Sequence, residues 1–139
     1  MKLSFTLTDA PDAAMRDRLG AALAAFNAGD AGPSEKRDLV IFVQDEAGVL
    51  RAGLNGFTAW GWLYTQWLWV DEAARGQGMA RRLLDMAEAE ARARGCHGAW
   101  IDTFSPHALH VYQRAGYAVF GVLPDFPPGR ARSFLQKSL

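Results

Sequence analysis

The stretch that most constrains this chain runs Leu68-Trp69-Val70-Asp71-Glu72-Ala73-Ala74-Arg75-Gly76-Gln77-Gly78-Met79-Ala80. An apolar run passes through a short polar connection into a glycine-rich turn, and helical periodicity follows. Met79, Leu83, Leu84, Ala87 and Ala91 form an apolar stripe over residues 78–94, with Arg81, Arg82, Asp85, Glu88 and Arg92 expected to face out. Glu88 with Arg92 and Glu90 with Arg94 are i,i+4 pairs, and Gly95 ends the helix. A strand that turns directly into a helix belongs to an α/β architecture. Glycines at 76 and 78 let the backbone turn tightly, and the first helical turn leaves N–H groups unpaired at the positive end of its dipole. That arrangement accepts a phosphate or pyrophosphate; the plain alternative is a tight connection with no ligand. No Gly-Lys-Ser/Thr follows, and Arg81 stands where a dinucleotide fingerprint needs a third small residue, so nucleotide hydrolysis and hydride transfer are disfavoured.

The other periodicities fill in a mixed sheet. Residues 1–8 alternate Leu3, Phe5 and Leu7 with polar neighbours and read as a half-buried strand. Asp9 or Asp12 can cap a helix to about residue 27, with Met15, Leu19, Leu23 and Phe26 on one stripe, and residues 29–37 form a loop. Strands are expected over 39–44, 49–57, 63–70, 99–104, 117–123 and 132–137, with a short helix over 106–115 stopped at Gly116. Residues 63–70 are apolar on both faces, Trp67 and Trp69 on one and Leu68 and Val70 on the other, which places this strand mid-sheet. Trp67, Trp69 and Trp100 read as core.

A chain of 139 residues suits one domain spanning 1–139. Fifteen basic and fifteen acidic residues cancel, which argues against a nucleic-acid binder. No apolar run is long enough to span a bilayer and the first ten residues do not resemble a signal peptide, so no membrane association is expected. The lone cysteine, Cys96, cannot form an intrachain disulfide; a reducing, cytoplasmic setting fits, with the thiol inert. Residues 1–72 carry six Lys/Arg against ten Asp/Glu, and residues 73–139 nine against five, so an anionic ligand is better received by the second half. His107 and His110 are three apart but lack a third ligand, and no metal is expected.

Two blocks in register carry a family resemblance. Arg75-x-x-Gly78-x-Ala80 resembles the Arg/Gln-x-x-Gly-x-Gly/Ala motif of the GNAT superfamily of acetyl-CoA-dependent N-acetyltransferases. Ser105-x-x-Ala108-x-x-x-Tyr112-x-x-x-Gly116-Tyr117 is similar to that family's Asn-x-x-Ala-x-x-x-Tyr-x-x-x-Gly-Phe/Tyr segment. From Trp60 onward the chain also resembles small, stand-alone bacterial members, including the tail Leu123-Pro124-Asp125-Phe126-Pro127-Pro128-Gly129. The resemblance implies a mixed, mostly antiparallel α/β (α+β) sheet of six to seven strands with a splayed parallel central pair and three to four helices. It implies acetyl-CoA as co-substrate, its pantetheine arm along the backbone of Leu68, Trp69 and Val70 and its pyrophosphate on Arg75, Gly76, Gln77, Gly78, Met79 and Ala80. Ser105 replaces the family's common Asn beside the arm. Tyr112 matches the family's frequent general acid; its alternative role is to pack its ring and hold the sulfur by a hydrogen bond.

The acceptor that the resemblance implies is a primary amine, favoured on a small molecule, and a homodimer is compatible with it. Many members carry a Glu base near the strand of residues 63–70, where this chain has none; Gln66, Asp71, Asp102, His107 and His110 are the candidates, with Asp102 better suited to pairing with an Arg. Trp60 and Trp62 could wall the acceptor site or form a dimer patch. The rival readings are a CoA-binding module without turnover and a protein-interaction scaffold.

Overall fold

The computed structural model describes all 139 residues, and the chain divides into two units, Met1–Ser34 and Glu35–Leu139. In the first unit, α1 (Ala13–Ala31) begins where Asp12 accepts a hydrogen bond from the Met15 N–H at 3.1 Å, and it stops at Gly32. It continues four residues past the expected end, and none of its residues is buried. Residues 1–8 form no strand, in contrast to their alternating pattern. A strand exists only by hydrogen bonding to a neighbour, so an alternating pattern does not make one by itself.

The second unit is a six-stranded sheet of β1 (Arg37–Gln44), β2 (Leu50–Ala59), β3 (Trp62–Val70), β4 (Gly98–Thr103), β5 (Ala118–Pro124) and β6 (Ala131–Ser138), in the order β1-β2-β3-β4-β6-β5. Every neighbouring pair is antiparallel except β3 with β4. Helices α2 (Met79–Ala93) and α3 (Pro106–Arg114) complete it. The expected α/β sheet with a parallel central pair is therefore present, with six strands and three helices. The apolar stripe of α2 (Leu83, Leu84, Ala87 and Ala91) packs with Leu39, Ala52, Leu54 and Leu63 of the first three strands as one core.

Two features of this second unit differ from the sequence reading. Trp67 and Trp69 are not core: they are 65% and 47% exposed. The pairing of β2 with β3 slips at Asn55/Gly56, leaving Gln66 as an extra residue. Such a bulge reverses the side-chain alternation, so Leu63 and Thr65 point into the core before it and Leu68 and Val70 after it, while the tryptophans point out. Gly56 is required at the slip, because a Cβ there would collide with the Tyr64 carbonyl. The second difference is Glu88, expected on the outer face and found 1% exposed. It accepts hydrogen bonds from Lys137 Nζ at 2.6 Å and the Tyr117 hydroxyl at 3.0 Å, and the Arg92 guanidinium lies 3.9 Å away. A buried carboxylate is tolerable because these partners compensate its lost hydration.

Candidate active site

The parallel pairing of β3 with β4 lasts only from Trp62↔Gly98 to Thr65↔Ile101. Beyond it, the β4-facing edge of β3 has no strand partner from Gln66 to Val70. A cavity of about 890 Å³ opens at this divergence. One wall is β3 with Leu68, Trp69 and Val70, and the opposite wall is the end of β4 with Asp102 and Thr103. The turn after β3 and the start of α2 form one end, with Arg75, Gly76, Gly78, Met79 and Ala80; α3 contributes Ser105, His107 and Tyr112. All the site residues expected from the sequence line this one cavity, except Gln77.

The glycine turn is held open by its own geometry. After a single 3₁₀ turn at Glu72–Ala74, Gly76 and Gly78 adopt φ of 76° and 70°, and Gly78 caps α2 with no side-chain hydrogen bond to the first helical N–H groups. Those donors and the helix dipole face the cavity's turn end. Asp71 anchors the entry to the turn: its N–H donates to the Arg51 carbonyl at 2.7 Å, and its carboxylate accepts from Arg51 at 2.8 Å. Arg75 donates to the Val70 carbonyl at 3.1 Å, which keeps its guanidinium beside the strand edge. Arg81 is turned along α2 to Asp85 at 3.0 Å and to the Arg114 carbonyl at 3.3 Å.

Tyr112 is 5% exposed, and burial together with the negative charge of Asp102 pushes its phenol up to about 12. It therefore stays a hydrogen-bond donor at any physiological pH. Ser105 uses its hydroxyl to accept from the Ala108 N–H at 3.2 Å, capping α3. Asp102 accepts from the Tyr64 hydroxyl and from Arg132, each at 2.9 Å. Arg132 lies over the Phe104 and Phe126 rings, and Tyr64 stacks on Trp100 at 3.8 Å between centroids. Burial and the hydrogen bond to Asp102 push the Tyr64 phenol up to about 12. The pairing of Asp102 with an arginine was legible as an alternative; the Tyr64 and Arg132 partners were not, because they come from distant strands.

Among the base candidates, Asp71 and Asp102 are committed to ion pairs, and of the two histidines only His107 lines the cavity. Trp60 and Trp62, for which an acceptor wall and a dimer patch were both open, are not among the residues that line it. Trp62 starts β3 where the parallel pair is still closed, with its ring edge-on to His97. The tryptophans at the cavity are Trp67 and Trp69 instead, beside Phe104 and Tyr112. Cys96 is also remote from the cavity, and burial pushes its thiol up. No helix of the structure is long and apolar enough to cross a membrane.

The family model of the GNAT acetyltransferases matches residues 10–117. An acetyltransferase of Agrobacterium fabrum is 45% identical over 135 residues, which cover 97% of this chain and 98% of that protein. The blasticidin-S acetyltransferase of Streptomyces morookaense is 44% identical over 95 residues, covering 68% and 70%. A crystal structure of a candidate acetyltransferase from Agrobacterium tumefaciens, 44% identical, superposes with a TM-score of 0.94 over 99% of this chain and 100% of that one.

Proposed function

This chain belongs to the acetyltransferase (GNAT) family, and from that premise we propose that it transfers the acetyl group of acetyl-CoA to a primary amine of a small molecule. The observation that carries the reading is the single cavity joining an unpaired strand edge, a phosphate-accepting glycine turn and a buried phenol. The β3 edge from Gln66 to Val70 offers main-chain groups to the amide-bearing pantetheine arm, as an added strand would use them. The N–H groups after Gly78 take the pyrophosphate. A main-chain N–H of β3 near the thioester carbonyl stabilises the oxyanion that develops there. The small-molecule acceptor is supported by the relative that is named for blasticidin S. Met1–Leu139 then works as one acetyltransferase domain.

In the transfer, the amine nitrogen attacks the thioester carbon, a C–N bond forms, the C–S bond breaks, and the nitrogen gives up a proton. The departing CoA thiolate takes up a proton. Magnitudes decide the part Tyr112 plays. A phenol held at about 12 keeps its proton, and the burial that lifts it also disfavours a bare thiolate beside it, so the hydroxyl enters the step as a hydrogen-bond donor to the sulfur. Tyr112 therefore steadies the developing thiolate by a hydrogen bond, and solvent delivers the proton. His107 is positioned to take the amine proton at the cavity wall, with water as the alternative carrier.

The test is thermal unfolding with acetyl-CoA, CoA and, as a control, ATP. A ligand at a hundred times its dissociation constant adds about 2.7 kcal/mol, roughly 5–15 °C for a domain of this size. A shift with both CoA forms and none with ATP, followed by acetylation within an amine panel, is the expected result. No shift with either CoA form rejects the reading. Tyr112→Phe is expected to slow single-turnover transfer about 10- to 100-fold, the worth of one hydrogen bond to a charged group. A loss beyond about 1,000-fold would instead mark obligatory general acid catalysis. The absence of a free carboxylate in the cavity favours a second reading, a CoA-binding module; a CoA shift with no amine acetylated would select it.

A further inference from the structure

Two buried side-chain polar atoms of this chain have no hydrogen-bond partner, Thr65 Oγ1 and Arg132 Nε. Both residues line the cavity. A buried polar group without a partner is rare in a folded protein, and a cavity wall gives it a reason: the partner arrives with a ligand. The two atoms are not equivalent. Arg132 is held in other ways, by its hydrogen bond to Asp102 and by the Phe104 and Phe126 rings. The Thr65 hydroxyl has no such support, and the residue is 1% exposed. Its backbone is nevertheless fixed on both sides, opposite Gly56 of β2 and Ile101 of β4. Thr65 is the last residue of β3 to pair with β4, so it stands at the apex of their divergence.

We propose that the Thr65 hydroxyl donates a hydrogen bond to the thioester carbonyl oxygen of bound acetyl-CoA, and that this bond strengthens as the oxyanion forms. The assignment rests on the transferase reading and gives it a further catalytic residue. Position along β3 carries it. The glycine turn after Val70 lies at one end of the open edge and Thr65 at the other, about 16 Å apart at roughly 3.3 Å per residue. The pantetheine arm is a chain of about a dozen bonds and reaches a similar distance when extended. With its pyrophosphate on the turn, the arm therefore presents its thioester at Thr65. Thioester oxygen and sulfur can only accept, so the hydroxyl must be the donor. Tyr112 belongs to α3 and Thr65 to β3, and the carbonyl carbon holds its oxygen and sulfur at different corners. Donors on separate elements can then serve one atom each, Tyr112 the sulfur and Thr65 the oxygen beside the main chain of β3. As the amine nitrogen bonds to the carbonyl carbon, the C=O π pair moves onto oxygen; its return expels the thiolate. Thr65 keeps its proton through both steps. A bond that is stronger at the transition state than in the bound thioester raises kcat more than affinity.

Thr65→Val keeps the shape of the side chain and removes the donor. In the free protein it replaces an unpartnered hydroxyl by a methyl group, so its melting temperature is expected to equal or exceed that of wild type. With an amine acceptor, kcat is expected to fall about 100-fold with KM for acetyl-CoA nearly unchanged, and Thr65→Ser to recover most of the loss. Infrared spectra of bound acetyl-CoA, isotopically labelled at the carbonyl carbon, read the same bond without any acceptor. The carbonyl band is expected below that of free acetyl-CoA in wild type and to move back toward it in Thr65→Val. A Thr65→Val protein with the wild-type band, or with wild-type kcat, overturns the proposal and leaves the transferase reading intact. A variant that melts well below wild type overturns it too, because the hydroxyl then has a partner in the free protein. A wild-type protein that shows no bound acetyl-CoA band rejects the transferase reading, and this assignment with it.

Discussion

The second unit contains two clusters built from the same parts, a carboxylate, a tyrosine and a cation. Glu88 is held by Tyr117 and Lys137, and Asp102 by Tyr64 and Arg132. Their surroundings differ. The Glu88 side chain is 2% exposed among the contacts of α2 with the sheet, and Lys137 also reaches the Ala115 carbonyl at 2.8 Å, tying β6 to the end of α3. The Asp102 side chain is 11% exposed and forms part of the cavity wall, and its guanidinium partner is clamped by Phe104 and Phe126. Composition alone therefore does not distinguish a cluster that joins elements in the core from one that shapes a site. Position does, because the divergence of β3 from β4 brings one carboxylate to the cavity and leaves the other under the helix.

Breaking the core cluster should have the larger effect. Glu88→Ala leaves the Lys137 ammonium and the Tyr117 hydroxyl without their acceptor, at a cost of about 3–5 kcal/mol in urea unfolding. Glu88→Leu is expected to recover part of that loss only if Lys137 is changed to Met with it, which a double-mutant cycle would read. A Glu88→Ala variant as stable as wild type would remove the cluster from the account of the fold.

The cavity cluster should respond less in stability and more in titration. Asp102→Asn keeps the shape but removes the charge, and about 1–2 kcal/mol is expected, because Arg132 remains partly solvated and stacked. The Asp102 charge helps lift both Tyr64 and Tyr112, so both phenols should titrate below about 12 in the variant, as read by phenolate absorbance. The sign of the linked stability follows. A phenol lifted by folding holds its proton more tightly in the folded chain, so its contribution is complete below about pH 10 and is lost between about pH 10 and 12. For the buried Tyr112 the loss approaches 1.4 kcal/mol per pH unit at most, about the linkage limit for one group. Asp102→Asn should flatten this alkaline limb; an unchanged limb would mean that burial alone sets the phenols.

Much of the fold was legible because it rests on local periodicity. The stripe of α2, a cap at Asp9 or Asp12 and the six sheet strands follow from residues within a few positions of one another. The glycine turn and Tyr112 could be singled out because a two-block motif fixes their separation. Trp67 and Trp69 were misplaced because one extra residue at Gln66 reverses a face, and nothing in their own strand announces the bulge; Gly56, on the partner strand, is its only local sign. Glu88 occupied a plausible outer position on the helical wheel, and its burial depends on Lys137, 49 residues away. The alternation of residues 1–8 was real as a pattern, but no strand forms there, because alternation supplies no hydrogen-bonding partner.

The sequence by itself determined the elements from α1 onward, their order and the turn at Arg75–Gly78–Ala80, because backbone conformation and short-range burial respond to neighbours along the chain. Only the tertiary structure decided which charges pair, where β3 and β4 part, and to which side of the sheet Trp67 and Trp69 point. Those outcomes depend on contacts between distant segments. There the desolvation of a carboxylate or the register of a strand is resolved by what the fold brings alongside it.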